Sequence, residues 1–338
     1  MVTLRDVANR AGVSVRTVSN VVNGWPHVRP ALRQHVQTVI DELGYRPNLA
    51  ARYLRGGRTG MIALVIPEID APYFAELARC FGKELSVKGL TLAIEQTDGL
   101  IERERALVDS GSGPTMFDGI IFSPISTTAA DFARRRADVP VVLIGEQLGA
   151  ECDHVQIDNI AASQVATQHL IELGRQRIAL IGHQPGAGIN TSDLRVEGYK
   201  AALRAASLPI DPQLLTPTPL FTRDGGVSAA EALLSLPEPP DAIFCLSDLL
   251  ALGAMSAIIR RGLTVPEDIA IVGFDDIEEG RFARPSLTSV SPDKKAIAAQ
   301  TVRLLLSRID GEKHSPTTVD IDFELVIRES SQMRPELR

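Results

Sequence analysis

Apolar positions in the first 45 residues recur with a helical period. Leu4, Val7, Ala8 and Ala11 share one face, Gly12-Val13 interrupts the pattern, and Val18, Val21 and Val22 share the next face. Ser14 stands where a hydroxyl can accept an orphan N–H of the second helix. After the turn Asn23-Gly24-Trp25-Pro26, Pro30 opens a third helix with Leu32, Val36, Val39, Ile40 and Leu43 inward, and Gly44 closes it. From Met61 the pattern changes: MIALVIPEI is a continuous apolar run of strand length, and helical periodicity follows from Tyr73 to Lys88. Strands at 90–95, 119–122 and 139–144 then alternate with helices at 102–111 and 129–137. A second series follows Ile157-Asp158-Asn159, with helices at 161–173, 194–205, 226–236 and 249–261 and strands at 178–181, 242–245 and 269–273. Apolar strand runs alternating with helices predict doubly wound parallel sheets. Two series predict two α/β lobes, with a cleft beyond the carboxyl ends of their strands. The expected fold is therefore a small all-α head on a two-lobed α/β core.

The first two helices carry more than an apolar face. Ala8 and Gly12 are small where helices joined by a tight turn would collide, which is the helix-turn-helix pattern whose second helix enters the DNA major groove. The outward residues Val15, Arg16, Thr17 and Asn20 are short or hydrogen-bonding, with one base-reading Arg. An ordinary helical hairpin would share the apolar face, but small Ala, Gly turn, Ser cap and inner Val pair coincide here. Further on, Asn48 can cap a helix that Gly56-Gly57 must end, about eight residues long and below the ~12 at which an isolated helix is marginal in water. Ala50 and Leu54 share one face of it, among Arg52, Arg55 and Arg58. An apolar wedge flanked by Arg suits a minor groove; a plain basic linker has the same composition, and both readings stand.

Charge separates the two parts. The net charge of −7 over 338 residues divides into +6 for residues 1–60 and −13 for the remainder. A basic head on an acidic body fits a polyanion-binding module attached to a regulatory domain. Three cysteines without paired spacing suit a reducing cytoplasm rather than a disulfide framework or a zinc site. Met1 leads straight into a polar helix with no signal peptide, and no apolar run approaches the roughly 20 residues that span a membrane. The expected location is the cytoplasm, with no membrane partner.

Polar or aromatic residues just past strand ends are candidate ligand groups: Asp70, Tyr73, Phe74, Ser123, Glu146, Thr191, Arg195, Phe221, Ser247, Asp248, Asp275 and Asp276. Several have competing structural roles. Ser247-Asp248 can cap a helix, Tyr73 and Phe74 can be core, and Arg195 can pair with Asp193 at the surface. Catalysis finds no support. The six histidines lack metal-ligand spacing, and there is no nucleophile elbow. The glycine-rich stretch 182–188 lacks the phosphate-loop Lys and the dinucleotide fingerprint, and reads as a cleft-edge loop. No catalytic residue, metal or cofactor is expected. A pocket carboxylate binding ligand hydroxyls explains Asp275 better than a cation does.

Seven segments can be set beside a known family: DVANRAGVSVRTVSNVVNG at 6–24, ELGYRPNLAARYLRGGRTGMIALVIP at 42–67, YFAEL at 73–77, LIELGRQRIALIG at 170–182, RVEGYKAAL at 195–203, FCLSDLLALGAMSAI at 244–258 and VPEDIAIVGFDDIEEGRFARPSLTSV at 265–290. In order and spacing they resemble the LacI/GalR family of bacterial transcription regulators, over essentially the whole chain. The resemblance implies a helix-turn-helix headpiece at 1–46, a hinge helix or linker at 47–60, and a periplasmic-binding-protein-like core at 61–338. Lobe 1 would hold about 61–158 and 291–318, and lobe 2 about 160–288 and 320–338, with crossings near 158–160, 288–291 and 318–320. Base reading falls to Val15, Arg16 and Asn20, with Arg16 suited to guanine and Asn20 to adenine. The intercalating leucine is Leu54, beside Ala51. Thr3, Ser14, Thr17, Arg29, Arg52 and Arg55 complete the set expected on DNA. Residues matching Phe74, Thr191, Arg195, Phe221, Ser247 and Asp275 line the effector pocket in family members, and Tyr73, Ser123 and Glu146 join them here. Two departures stand out, Arg29 in place of a small polar residue and Leu32 in place of Thr; Arg29 can still reach a phosphate, whereas Leu32 cannot hydrogen-bond one.

The function implied is a repressor that binds a pseudo-palindromic operator in double-stranded DNA as a homodimer, controlled by a small-molecule effector, a sugar or sugar derivative. The tail after Ile327 holds no leucine heptad for a tetramer. The alternatives are a sugar-binding protein with a vestigial headpiece, and a regulator with a nucleobase-type corepressor.

Overall fold

The computed structural model describes residues 2–22, 25–45, 58–109, 116–133, 139–145, 152–184 and 190–332. The hinge segment with Ala51, Arg52, Leu54 and Arg55 lies outside them, as do Glu146 and residues 185–189 of the glycine-rich loop. The chain forms two compact units, Met1–Gly60 and Met61–Arg338.

The first unit holds α1 (Leu4–Ala11), α2 (Val15–Val22) and α3 (Pro30–Leu43). Val7, Ala8 and Ala11 of α1, Val18 and Val21 of α2, and Val36, Val39 and Ile40 of α3 are buried against one another. Burying a side chain of this size contributes roughly 1.5–3 kcal/mol, so this core holds three helices that are each too short to persist alone. Gly12 ends α1 at φ 64°, a left-handed conformation that a β-carbon would disfavour, and so permits the immediate turn into α2.

The second unit largely alternates as expected up to residue 274, with two short strands, at 153–157 and 215–217, that the sequence reading did not give. In chain order it runs β1 (Met61–Ile66), α4 (Pro72–Val87), β2 (Thr91–Gln96), α5 (Ile101–Asp109), β3 (Gly119–Phe122), α6 (Ala129–Ala133), β4 (Val141–Ile144), β5 (Asp153–Ile157), α7 (Asn159–Glu172), β6 (Ile178–His183), α8 (Thr191–Ala205), β7 (Leu215–Pro217), α9 (Arg223–Leu234), β8 (Ala242–Cys245), α10 (Asp248–Arg260) and β9 (Ala270–Phe274). The chain then adds α11 (Glu278–Phe282), β10 (Thr288–Pro292), α12 (Lys294–Ile309), β11 (Thr318–Ile321) and β12 (Phe323–Val326). Two six-stranded sheets result, ordered β11-β5-β4-β3-β1-β2 and β12-β10-β9-β8-β6-β7. Each is one lobe.

Three further details differ from the sequence reading. The crossing expected near 288–291 falls at Asp293, because 288–292 pairs as β10 in the second sheet before Asp293 caps α12. The crossing expected near 318–320 falls at Asp322, because 318–321 pairs as β11 beside β5. Finally, β12 runs antiparallel to β10, so the second sheet is mixed. The reason is direct. The strands of both sheets point toward the cleft, and a chain passing from one lobe to the other through the single residue Asp322 keeps its direction, which opposes that of the second sheet.

In the second lobe, α7 and α8 approach backbone to backbone at Gly198. A β-carbon there would stand 2.2 Å from the Ile160 carbonyl oxygen, so only glycine fits. This approach places Asn159, at the start of α7, within reach of Arg195 on α8.

Candidate functional site

The exposed face of α2 is built on a tightly capped start. The Ser14 hydroxyl accepts the Thr17 N–H at 3.1 Å and bonds the Thr17 hydroxyl at 2.9 Å. Thr3 closes a capping box with Asp6, and its backbone N–H, then its hydroxyl, hold that carboxyl below its usual range. Val15 and Arg16 are exposed at the first turn of α2, Thr17 and Asn20 are half-buried, and Arg29 is exposed ahead of α3 with no side-chain cap bond. Leu32, which breaks the family's pattern, packs on the core of the head. A leucine there contributes burial where a threonine would offer a hydroxyl.

In the core, a cavity of about 230 Å³ opens between the lobes. Tyr73, Phe74 and Ser123 reach it from the first lobe, and Thr191, Arg195, Phe221, Ser247 and Asp275 from the second. Eight of the nine pocket residues expected from sequence thus share one cleft; Glu146 lies outside the described residues. Tyr73 and Phe74 meet edge to face, with ring centroids 5.3 Å apart.

Arg195 is nearly buried. Its Nε donates to Asn159 Oδ1 at 2.9 Å, its Nη1 to the Leu246 carbonyl at 2.5 Å, and the guanidinium lies 3.5 Å from the Phe274 ring centroid. It forms no surface pair with Asp193, which instead closes a capping box with Asn190 and bonds His183 at 3.1 Å. Asp275 follows β9 with φ at 107°, a backbone that L-residues rarely adopt and that the surrounding structure must hold in place. Burial raises its carboxyl to about 6, against the pull of Arg195. Burial also pushes the Tyr73 phenol well above its ordinary value.

Behind these residues stands a shell that the sequence marked poorly. Asp248 turns inward beneath the cleft, accepting the Ile277 N–H at 2.8 Å and the Ser289 hydroxyl at 2.6 Å, so it fixes the turn that carries Asp275. Burial, then the neighbouring Asp275, pushes its carboxyl well above the usual range. Ser247 does both jobs weighed for it, capping α10 through the Leu250 N–H at 3.3 Å and lining the cleft. Asp276 does not line the cleft. Burial opposes its ionisation, but Arg328 at 2.6 Å, Ser291 and Arg281 hold it charged. Glu104 is buried in the first lobe and accepts three backbone N–H groups, from Ile125, Ser126 and Thr127, with the Thr127 hydroxyl as a fourth donor at 2.7 Å. It anchors the loop that follows Ser123. The lobes are tied at Glu76, whose carboxylate accepts from Lys294 at 2.5 Å and from the Glu278 N–H at 3.0 Å.

Among the described residues no cluster of His, Cys, Asp or Glu is placed to hold a metal ion. None of their helices is long and apolar enough to cross a membrane.

Comparison with known proteins accounts for both units. Residues 3–48 match the model for bacterial regulatory proteins of the lacI family, and residues 167–331 match a periplasmic binding protein-like domain. The HTH-type transcriptional regulator CelR of Thermobifida fusca is 37% identical over 97% of this chain and 98% of its own length. A solved CelR–cellobiose complex is 35% identical and superposes with a TM-score of 0.72 over 98% of this chain and 100% of that one. The lac repressor dimer bound to operator and the anti-inducer ONPF is 25% identical, with a TM-score of 0.85 over 98% and 99% of the two chains. The chain belongs to the LacI family of bacterial regulatory proteins and is a DNA-binding transcriptional regulator.

Proposed function

We propose that the chain represses transcription by binding a pseudo-palindromic operator as a homodimer, with its affinity set by a carbohydrate held between the lobes. The presence of Arg195 and Asp275 in one cleft walled by Tyr73, Phe74 and Phe221 carries this reading. A guanidinium and a carboxylate offer fixed donors and acceptors to ring hydroxyls, while aromatic faces cover a sugar's C–H surface. The cellobiose bound by the relative supports the same class.

On DNA, Arg16 and Asn20 read bases in the major groove, with Val15 against an apolar base edge. Thr3, Ser14, Thr17 and Arg29 position the head on the backbone. The hinge residues Ala51, Arg52, Leu54 and Arg55 enter the minor groove, Leu54 as a wedge. A ligand that favours one lobe arrangement thereby favours or opposes the paired hinges, which is a coupling free energy between two sites.

Selection of duplexes from a random library, followed by fluorescence anisotropy with and without sugars, tests the proposal. A selected site with two-fold symmetry and a sugar-dependent change in affinity are the expected results. An asymmetric site occupied by one protomer would refute the dimer reading.

A further inference from the structure

We infer that Glu76 and Lys294 are positioning residues for the effector site: reaching across from the first lobe, they complete the turn of the second lobe that presents Asp275, without lining the cleft themselves. The inference rests on the reading of the cleft as an effector site. The turn after β9 needs support. Asp275 and Asp276 both have positive φ, at 107° and 47°, and neither is glycine. Such a backbone persists only where its surroundings fix it.

The second lobe supplies three of the bonds that do so. The Asp275 N–H donates to the Val290 carbonyl at 2.9 Å, the Asp276 N–H to the Ser289 hydroxyl at 3.0 Å, and the Ile277 N–H to Asp248 Oδ2 at 2.8 Å. Two more come from the first lobe. Ile277 stands at the cap of α11 with no side-chain acceptor to offer, so the Glu278 N–H donates to Glu76 of α4 at 3.0 Å. The Asp276 carbonyl accepts from Lys294 Nζ at 3.0 Å, and Lys294 closes the link by donating to Glu76 at 2.5 Å. α12, which carries Lys294, packs on α4 and on the first sheet.

The Lys294 and Glu76 side chains are only 11% and 16% exposed, so each charge depends on the other. Glu76 lies one turn on from Tyr73 in α4, and Lys294 Nζ stands 5.9 Å from the Tyr73 ring centroid. One ion pair thus joins the helix that brings the aromatic wall to the turn that brings the carboxylate. Neither residue lines the cleft, so their effect on a ligand passes through Asp275 and Tyr73. A plain strut between lobes would also be buried, but it would have no reason to satisfy the backbone of the turn that bears a ligand group.

The charges facing Asp275 are Arg195 of α8, Lys294 of α12 and Glu76 of α4, with the Asp248 carboxyl, the Tyr73 phenol and its neighbour Asp276 close by. Burial raises the Asp275 carboxyl to about 6, Arg195 and then Lys294 pull it down, and Glu76 pushes it up. Carboxyl NMR of the full chain labelled at aspartate follows this group, its signal identified by its loss in Asp275→Asn. Lys294→Met should raise the Asp275 midpoint by about half a pH unit or more, and Glu76→Gln should lower it by a similar amount. A turn merely loosened toward solvent would lower it in both. Calorimetry with cellobiose at about pH 8, where Asp275 is ionised in every variant, then reads position apart from charge. Lys294→Met and Glu76→Gln should each weaken binding about tenfold, Lys294→Arg should stay within about threefold of the parent, and the double variant should lose no more than the worse single one. Asp275 midpoints that stay with the parent or fall together overturn the inference, and so does cellobiose binding left unchanged by both variants. A parent chain that gives no heat with cellobiose and no response to any sugar fails the carbohydrate reading instead, and the carboxyl titration alone then decides the positioning.

Discussion

Arg16 and Arg195 carry the same guanidinium into opposite settings. Arg16 stands exposed on a helix whose cap and apolar face are fixed, so the protein holds its backbone and leaves its side chain to solvent. Arg195 is nearly buried, with two hydrogen bonds and a ring fixing its side chain before any ligand arrives. The head is therefore ready in its scaffold and the cleft is ready in its side chains. Substitutions in the two places should separate accordingly, into losses of binding alone and losses of binding with stability.

The largest effect is expected for Arg195→Ala. It leaves Asn159 and the Leu246 carbonyl without their donor and opens a gap against Phe274, a loss of roughly 2–4 kcal/mol in stability, together with ligand binding. Urea denaturation and calorimetry read the two losses; a variant as stable as the parent would mean that the tether is not structural. Arg16→Ala should weaken operator binding by about 1–3 kcal/mol per half-site with relaxed preference at one base pair, and leave the urea midpoint unchanged. Uniform weakening across operator variants would place Arg16 on the backbone instead.

A smaller effect concerns pH. The Asp275 carboxyl, raised to about 6, binds a proton in the folded protein that the unfolded chain releases near its ordinary value. The stability this proton contributes is present at low pH and is lost as pH rises through about 6. Asp275→Asn should therefore be more stable than the parent above pH 6, by about 1 kcal/mol given the carboxyl's opening to the cleft, with the advantage vanishing toward pH 4. Sugar affinity of the parent should rise through the same range as the carboxylate becomes an acceptor. A pH-independent difference between the two proteins would contradict the assignment. The smallest effect is Ser14→Ala, about 1 kcal/mol from the α2 cap, visible in the melting of the head and absent from ligand binding to the core.

Much of this was legible because it is local. The faces of α1 to α3 and most of the alternation through residue 274 follow from periodicity, and most of the cleft set follows from strand ends and the family pattern. What escaped is non-local. Glu104 sits in ERERA, which reads as a solvated charged face, and its partners are backbone N–H groups 21–23 residues onward that no side-chain pattern announces. Asn159 finds Arg195 36 residues away, through a helix contact that Gly198 permits. β5, β7, β10, β11 and β12 are short and interrupted by polar residues or proline, so only their sheet partners make them strands.

The single-residue step at Asp322 has a consequence for how the molecule is made. β11 pairs with β5 across a separation of 164 residues, from Gln156 to Asp320, and β12 is the last strand of the other sheet. Neither lobe is a contiguous stretch of chain, so the first sheet lacks this edge until the ribosome has passed residue 321 and the second until it has passed residue 326. Contacts of such range close slowly. The nascent protein should thus hold its head folded early, beside two unfinished sheets whose open edges wait on the final strands, and a premature stop before 318 would deprive both lobes at once.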